Sequence, residues 1–350
     1  MTSTLDGSSA GGQFLRTALA LSVLRNEPVR LEGVRGDRPT PGLAHQHLAV
    51  LETMADLCDA DVSGAELGAE TIEFDPGLEG GDGRLEGGEY AVDIGTAGSV
   101  TLLFDAVLPL ATILESPLSV TVTGGTDVAW SPPLDYFRRV KFPLIRRFGV
   151  ETTCEVDRRG FYPDGGGRAT LRLEPSTLES IAILERGSFE GVRLYSTESE
   201  SLADRDVAHR QAEGALERLD PGAGEVLERR ETTTESLSPG SALVIRVDHG
   251  TGIAGFSALG ERGKPAERVG EDAADAANRF LEGVAPVDRH MADQLLVLLA
   301  VAGGRVRVPA VTDHLQAGCE LLAEFGVDVR LERADETAAV SVASPLDGVQ

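Results

Sequence analysis

Residues 146–151 read RRFGVE, and residues 323–328 read AEFGVD. In each, a glycine follows an apolar helical run and precedes a valine. That is the pattern of a helix closed by a left-handed cap and continued as a strand. The surroundings of the two stretches repeat as well. Upstream of the first, residues 100–114 have helical spacing, 118–123 alternate as a strand and 134–148 are helical again; 150–156 follow as a strand. Around the second, the same order runs through 291–301, 305–308, 314–325 and 327–331. A third copy opens the chain, with helices at 13–24 and 43–58 and strands at 29–31 and near 61–62. Three units of alternating helix and strand predict an α/β (α+β) fold in which helices cover sheets.

The spacing of the copies is uneven. Their first helices begin at residues 13, 100 and 291, so the steps are 87 and 191 residues, an excess of about 100. An excess of that size is enough for a small domain. It divides the chain into 1–185 (two units), an inserted domain at 186–282 and 283–350 (the third unit). Within the insertion, 201–219 and 271–281 read as helices, and 242–248 and 252–259 as strands joined at a glycine turn. The acidic, glycine-rich stretch 77–88 reads as a flexible loop.

Hydrophobic residues make up 41% and charged residues 25%, the balance of a folded globular chain. No apolar run approaches the roughly 18 residues that span a bilayer, so no membrane partner is expected. The opening MTSTLDGSSAGG lacks the basic and apolar regions of a secretory leader. Cys58, Cys154 and Cys319 are far apart and form no metal-binding pair, which predicts a reducing, cytoplasmic setting. Asp and Glu number 57 against 32 Lys and Arg, a net charge of −25, and Lys141 and Lys264 are the only lysines. This balance fits a halophilic cytoplasm, where salt screens the self-repulsion of an acidic surface. It argues against a protein that grips a long stretch of nucleic acid through phosphates, while leaving room for a local Arg-lined site.

Each first helix follows a glycine-rich or polar turn: LDGSSAGGQFLR (5–16), DIGTAGSVTLL (93–103) and VDRHMADQLL (287–296). Free N–H groups at such helix starts suit phosphate. Any one of these is an ordinary turn; three at equivalent places point to a shared site where helix ends converge. GVRGDRPTPGLAHQHL (33–48) sets Arg35 and Arg38 about a proline-stiffened turn, with Gln46 and His47 on the next helix. Arg forks match phosphate oxygens, and equally match salt bridges on an acidic surface. Trp130, Tyr136, Phe161 and Tyr162 lie in loops rich in Pro and Gly, where they suit base stacking or a core cap. Arg138, Arg139, Arg146 and Arg147 read as the solvated face of a helix. His314 opens the last helix in VTDHLQAG; the dipole there works against an imidazolium and favours a neutral, nucleophilic ring, but a capping or buried histidine is the commoner role at such a place.

Taken in order along nearly the whole chain, these motifs resemble the RNA 3′-terminal phosphate cyclase family. The resemblance implies three repeated α/β units, each with helices on one face of a four-stranded sheet, plus a smaller inserted α/β domain. It implies a ligase-type reaction in which a histidine attacks the α-phosphate of ATP and expels diphosphate. AMP then passes to an RNA 3′-phosphate, and the 2′-hydroxyl displaces AMP to leave a 2′,3′-cyclic phosphate. By position, His314 matches the nucleophile. Arg16 with His290, Met291, Ala292, Asp293 and Gln294 matches the ATP-binding set, His290 standing where the family carries tyrosine. Pro132 or Pro133 would cover the other face of the adenine. Arg35, Arg38 and Gln46 match phosphate or RNA contacts. Besides ATP, a divalent metal, Mg²⁺ or Mn²⁺, is implied. Its ligand is not, because the family's glutamate is replaced by Ser9 in SSAGGQ (8–13). Asp105 replaces a glutamine, and HLQAG (314–318) replaces the family's ending of that motif.

Two other readings share the architecture. A non-catalytic RNA-binding relative acting in ribosome maturation would lack the nucleophile; His314 counts against it and the lost glutamate for it. An enolpyruvyl-transferase-like enzyme would need a carboxylate site for which no motif is present.

Overall fold

The computed structural model describes residues 3–8, 11–78, 83–220, 225–343 and 346. Three of its four-stranded sheets have one topology. In the first, Ser3–Asp6 pairs parallel with Val29–Glu32, which pairs antiparallel with Ile72–Asp75, and Asp61–Ser63 closes the edge. Gly88–Asp93, Leu118–Gly124, Gly167–Leu173 and Thr152–Arg158 repeat that order. So do Ile181–Ile183, Gly304–Val308, Ala338–Val342 and Val329–Arg333. The repeated α/β fold expected from the sequence is the fold of the protein.

Each unit therefore has two strands that the sequence reading lacked, the first and the last. The first strand of the third unit, Ile181–Ile183, lies ahead of the insertion and is separated from its own helices by it. Helices expected to be single are segmented. Pro109 turns the end of 100–114 into a 3₁₀ segment, Leu108–Thr112, after the helix Val100–Val107. Residues 134–146 pass through a π turn at Phe137–Lys141. The helix expected at 201–219 becomes a 3₁₀ turn, Glu200–Arg205, and a helix, Val207–Arg218. The glycines of RRFGVE and AEFGVD, Gly149 and Gly326, take φ of 95° and 76°, the left-handed cap their place demands. The loop expected at 77–88 ends in a strand that starts at Gly88, and its residues 79–82 lie outside the described residues.

The helix Gly12–Arg25 is the hub. It packs against His45–Cys58 of its own unit, Val100–Val107 of the second, and Leu296–Ala302 and Asp313–Glu324 of the third. Ala18, Leu19, Leu21 and Val23 are fully buried around its circumference, as a helix enclosed on all sides requires.

The insertion builds a fourth sheet in the order Val226–Thr234, Phe189–Ser199, Ser241–His249, Gly252–Leu259. The two-residue period of its strands splits the side chains between two cores. Leu194, Leu243, Ile245 and Ala254 face the helices Val207–Arg218 and Ala266–Glu282. Tyr195, Val244 and Ile253, one residue out of phase, join the main core. Arg139, expected in solvent, places its guanidinium 5.0 Å from the ring of Tyr195.

Asp288 fastens this junction. Buried between the two parts, its carboxylate accepts from the Tyr136 hydroxyl at 2.9 Å, Gly255 N–H at 2.9 Å, His290 N–H at 2.9 Å and Met291 N–H at 3.0 Å. Asp288→Ala leaves four donors of three elements unsatisfied, and we expect a loss of about 3 kcal/mol in denaturant unfolding. Tyr136→Phe, which removes one of them, should cost about 1 kcal/mol. A neutral Asp288→Ala would refute the latch.

Candidate active site

Because the hub helix meets every unit, the starts of the surrounding helices come together. A cleft of about 840 Å³ is lined by Gly11 and Gly12, Gln46 and His47, Leu102, His290 and His314, drawn from the first turns of five helices or the residue before one. Ser257, Ala258 and Leu259 of the inserted domain also line it.

Two glycines form the floor. A methyl built on Gly11 would stand 3.4 Å from Arg38 Nη2 and 3.8 Å from His314 Cε1. The bare backbone thus brings an arginine of the first unit and the histidine of the third to one spot. Gly12 is tighter still: a Cβ there would lie 2.2 Å from His47 Nε2, so only glycine lets that ring cover the helix start. His314 is exposed. The helix bearing it is capped by Thr312, whose hydroxyl accepts from Leu315 N–H at 3.1 Å.

The charges around the floor differ from those of the chain. Four guanidinium groups, of Arg16, Arg35, Arg38 and Arg289, line the cleft against two carboxylates, Asp105 and Asp293. Burial lowers Arg16 to about 10, with Asp293 opposing, so it is cationic at neutral pH. Burial also raises the Asp293 carboxyl. Arg35 donates to the Gly42 carbonyl at 2.7 Å, which fixes the turn that carries Arg38. Asp105 is paired with Lys141, which is buried under the cleft in the π turn. Burial brings the Lys141 ammonium down to about 7; Asp293 raises it and Arg16 lowers it further.

Two amides are only partly satisfied. Gln46 Oε1 accepts from Ser99 N–H at 3.2 Å, tying the first unit to the second, but its buried Nε2 has no partner. The buried Oε1 of Gln294 has none either. A donor and an acceptor held without partners at a cleft are groups that a ligand can satisfy.

Residues 8–331 match the family described as RNA 3′-terminal phosphate cyclase. The chain belongs to that family. The RNA 3′-terminal phosphate cyclase of Halobacterium salinarum strain R1 is 48% identical over 341 residues, covering 96% of this chain and 98% of its own. That of Methanopyrus kandleri is 41% identical over 353 residues, covering 97% of each. Among solved structures, the enolpyruvyl transferase NikO of Streptomyces tendae covers 99% of this chain and 66% of its own length at 12% identity. Its TM-score of 0.27 carries no argument.

Of the residues that the cyclase resemblance singles out, His314, His290, Asp293, Gln294, Arg16, Pro132, Arg35, Arg38 and Gln46 all line this one cleft. Met291 and Ala292 do not. They share the turn of His290 but face the core, where both are buried. Ser9 lies outside the described residues. The sequence reading missed His47, Arg289 and the strand end at 257–259 as cleft residues. Only His47 had a local signal, its place beside Gln46 at a helix start. No helix among the described residues is long and apolar enough to cross a membrane.

His47 Nδ1 accepts from Ala44 N–H at 3.3 Å, which puts the ring proton on Nε2. Burial and the guanidinium groups of Arg16 and Arg35 lower this histidine from 6.5 to about 4. Between those values the unfolded chain binds a proton that the folded protein refuses. Stability therefore falls as pH drops through that window, by roughly 2–3 kcal/mol after allowing for partial exposure. In urea unfolding at pH 7 and pH 4.5, His47→Gln should lose that share of the wild-type acid sensitivity. Equal losses in the two proteins would contradict the burial of this ring.

Proposed function

We propose that the protein is an ATP-dependent RNA 3′-terminal phosphate cyclase that works through a histidine–AMP intermediate. The observation that carries this reading is the exposed His314 ring beside Gly11 and Arg38, in a cationic cleft of an acidic chain. The Nε of His314 attacks the α-phosphorus of ATP; the bond to the bridging oxygen breaks and diphosphate leaves. An oxygen of the RNA 3′-phosphate then attacks the same phosphorus, breaking the P–N bond and forming RNA-linked AMP. The neighbouring 2′-hydroxyl finally attacks the 3′-phosphorus and gives up its proton, and AMP departs from the 2′,3′-cyclic phosphate. Each step makes a better leaving group or uses one, and covalent capture splits a hard displacement into easier ones.

Arg16, Arg35 and Arg38 stabilise charge that grows on phosphate oxygens, as fixed cations at a transition state do. His290 and Pro132 would sandwich the adenine, while Asp293 and Gln294 supply polar contacts at its edge; Met291 and Ala292 serve only by packing that turn. Gln46 would donate its free amide to phosphate. Mg²⁺ or Mn²⁺ belongs to the proposal through the resemblance. Among the described residues no cluster of three or more His, Cys, Asp or Glu could hold a metal, and Asp105 is engaged by Lys141. The described side chains do not fit a protein-held ion.

We also assign the protein to a cytoplasm of high salt, on its acidic balance and scarcity of lysine, and divide the chain at 186 and 282. The replacement of the family's glutamate by Ser9 favours a second reading, a non-catalytic RNA-binding relative. One assay separates the two. With α-³²P ATP and divalent metal in molar KCl, the wild type should acquire an acid-labile, alkali-stable label, and His314→Ala should acquire none. With 3′-phosphorylated RNA the label should leave as AMP and a cyclic end should appear. Absence of both label and cyclic end from well-folded wild type would overturn the cyclase reading.

A further inference from the structure

Trp130 is the only tryptophan of the chain and is fully exposed. Of the aromatic residues marked in the sequence, Tyr136 and Phe161 went into the interior and Tyr162 stayed exposed away from the cleft lining; Trp130 is both fully exposed and part of that lining. Its backbone is left-handed, at φ 61°, which a bulky residue adopts only when its surroundings impose it. Those surroundings are rigid. Ser131 Oγ donates to the Val128 carbonyl at 3.0 Å, and Thr101 Oγ1 to the Pro132 carbonyl at 2.8 Å. At the root of the loop, Asp127 forms a buried ion pair with Arg159 at 3.0 Å and accepts from Leu134 N–H at 3.3 Å. A firmly held loop thus presents a bare indole to solvent, on the wall of the cleft that contains Arg38 and His314.

We infer that Trp130 is a stacking platform for a base near the 3′ end of single-stranded RNA, with the terminal phosphate at Arg38 and His314. A fixed aromatic face beside guanidinium groups matches that ligand, since bases stack while phosphates take the Arg forks. An anionic lipid surface would meet a net charge of −25. Stacking tolerates every base, so the platform grips the strand without reading its sequence. The inference rests on the cyclase reading and deepens it by naming how the RNA strand is held.

A single tryptophan makes the test direct. In molar KCl without ATP, a 3′-phosphorylated oligoribonucleotide should quench the wild-type tryptophan emission saturably, and ATP alone should leave it unchanged. An abasic nucleotide at one of the last few positions should abolish the quenching. Trp130→Ala should raise KM for RNA about tenfold, and Trp130→Phe should recover most of that loss. Three results would overturn the platform: RNA bound by polarisation with emission unchanged, no RNA binding at all, or equal quenching by ATP alone, which would make adenine the occupant. The quenching needs no ATP and the adenylate label needs no RNA. Protein that labels but is not quenched loses only the platform; protein that is quenched but never labels loses only the cyclase chemistry.

Discussion

The burial of one helix on every side governs this protein. The helix Gly12–Arg25 can remove its apolar circumference from water only if helices of all three units surround it. Once they do, their starts are brought to its N-terminal end, and Gly11 and Gly12 allow Arg38, His47 and His314 to approach its backbone. Packing thus collects polar side chains that lie far apart in the chain. The positive ends of the longer helices add to the field at the floor.

The electrostatics of the cleft run against those of the molecule. A surface of net charge −25 stays dispersed in concentrated salt, yet the anionic substrates of the proposed reaction have to reach the interior of the site. Two conditions reconcile these needs. Salt screens exposed charges beyond a few ångströms, and two of the cleft's guanidinium groups, those of Arg16 and Arg35, are partly buried and so less screened than Arg38 and Arg289 at its exposed rim. Arginine serves where a fixed cation is wanted, because it keeps its charge on burial; Arg16 still lies near 10. Lys141, near 7, stands below the cleft as the counter-ion of Asp105. A carboxylate in place of an amide at position 105 comes with a buried ammonium beside it.

The inserted domain is part of the site. One face of its sheet has its own helices to cover; the other completes the main core through Tyr195, Val244 and Ile253. Asp288 joins the two parts and also caps the turn that carries His290. The position of that imidazole thereby depends on contact with the insertion, and the end of the strand at 257–259 forms part of the wall it faces.

Much of this was legible in residue order alone. The repeats show because helix and strand have different periods, and a glycine must stand where a chain turns left-handed, as Gly149 and Gly326 do. Uneven spacing pointed to an insertion, and the ordered motifs named nine of the residues that line the cleft together with two, Met291 and Ala292, that do not. What the order could not convey was decided by contacts distant in sequence. Ile181–Ile183 is too short to show a period and becomes a strand only by pairing with Gly304–Val306. Met291 and Ala292 share a motif with His290, but helical phase turns them to the core. Trp130 and Phe161 have similar local settings, and only the packing of neighbouring loops sends one into water and the other inside. Local sequence sets period and backbone preference; burial and charge at a point in space are sums over neighbours from all three units, and these exist only once the chain has closed on itself.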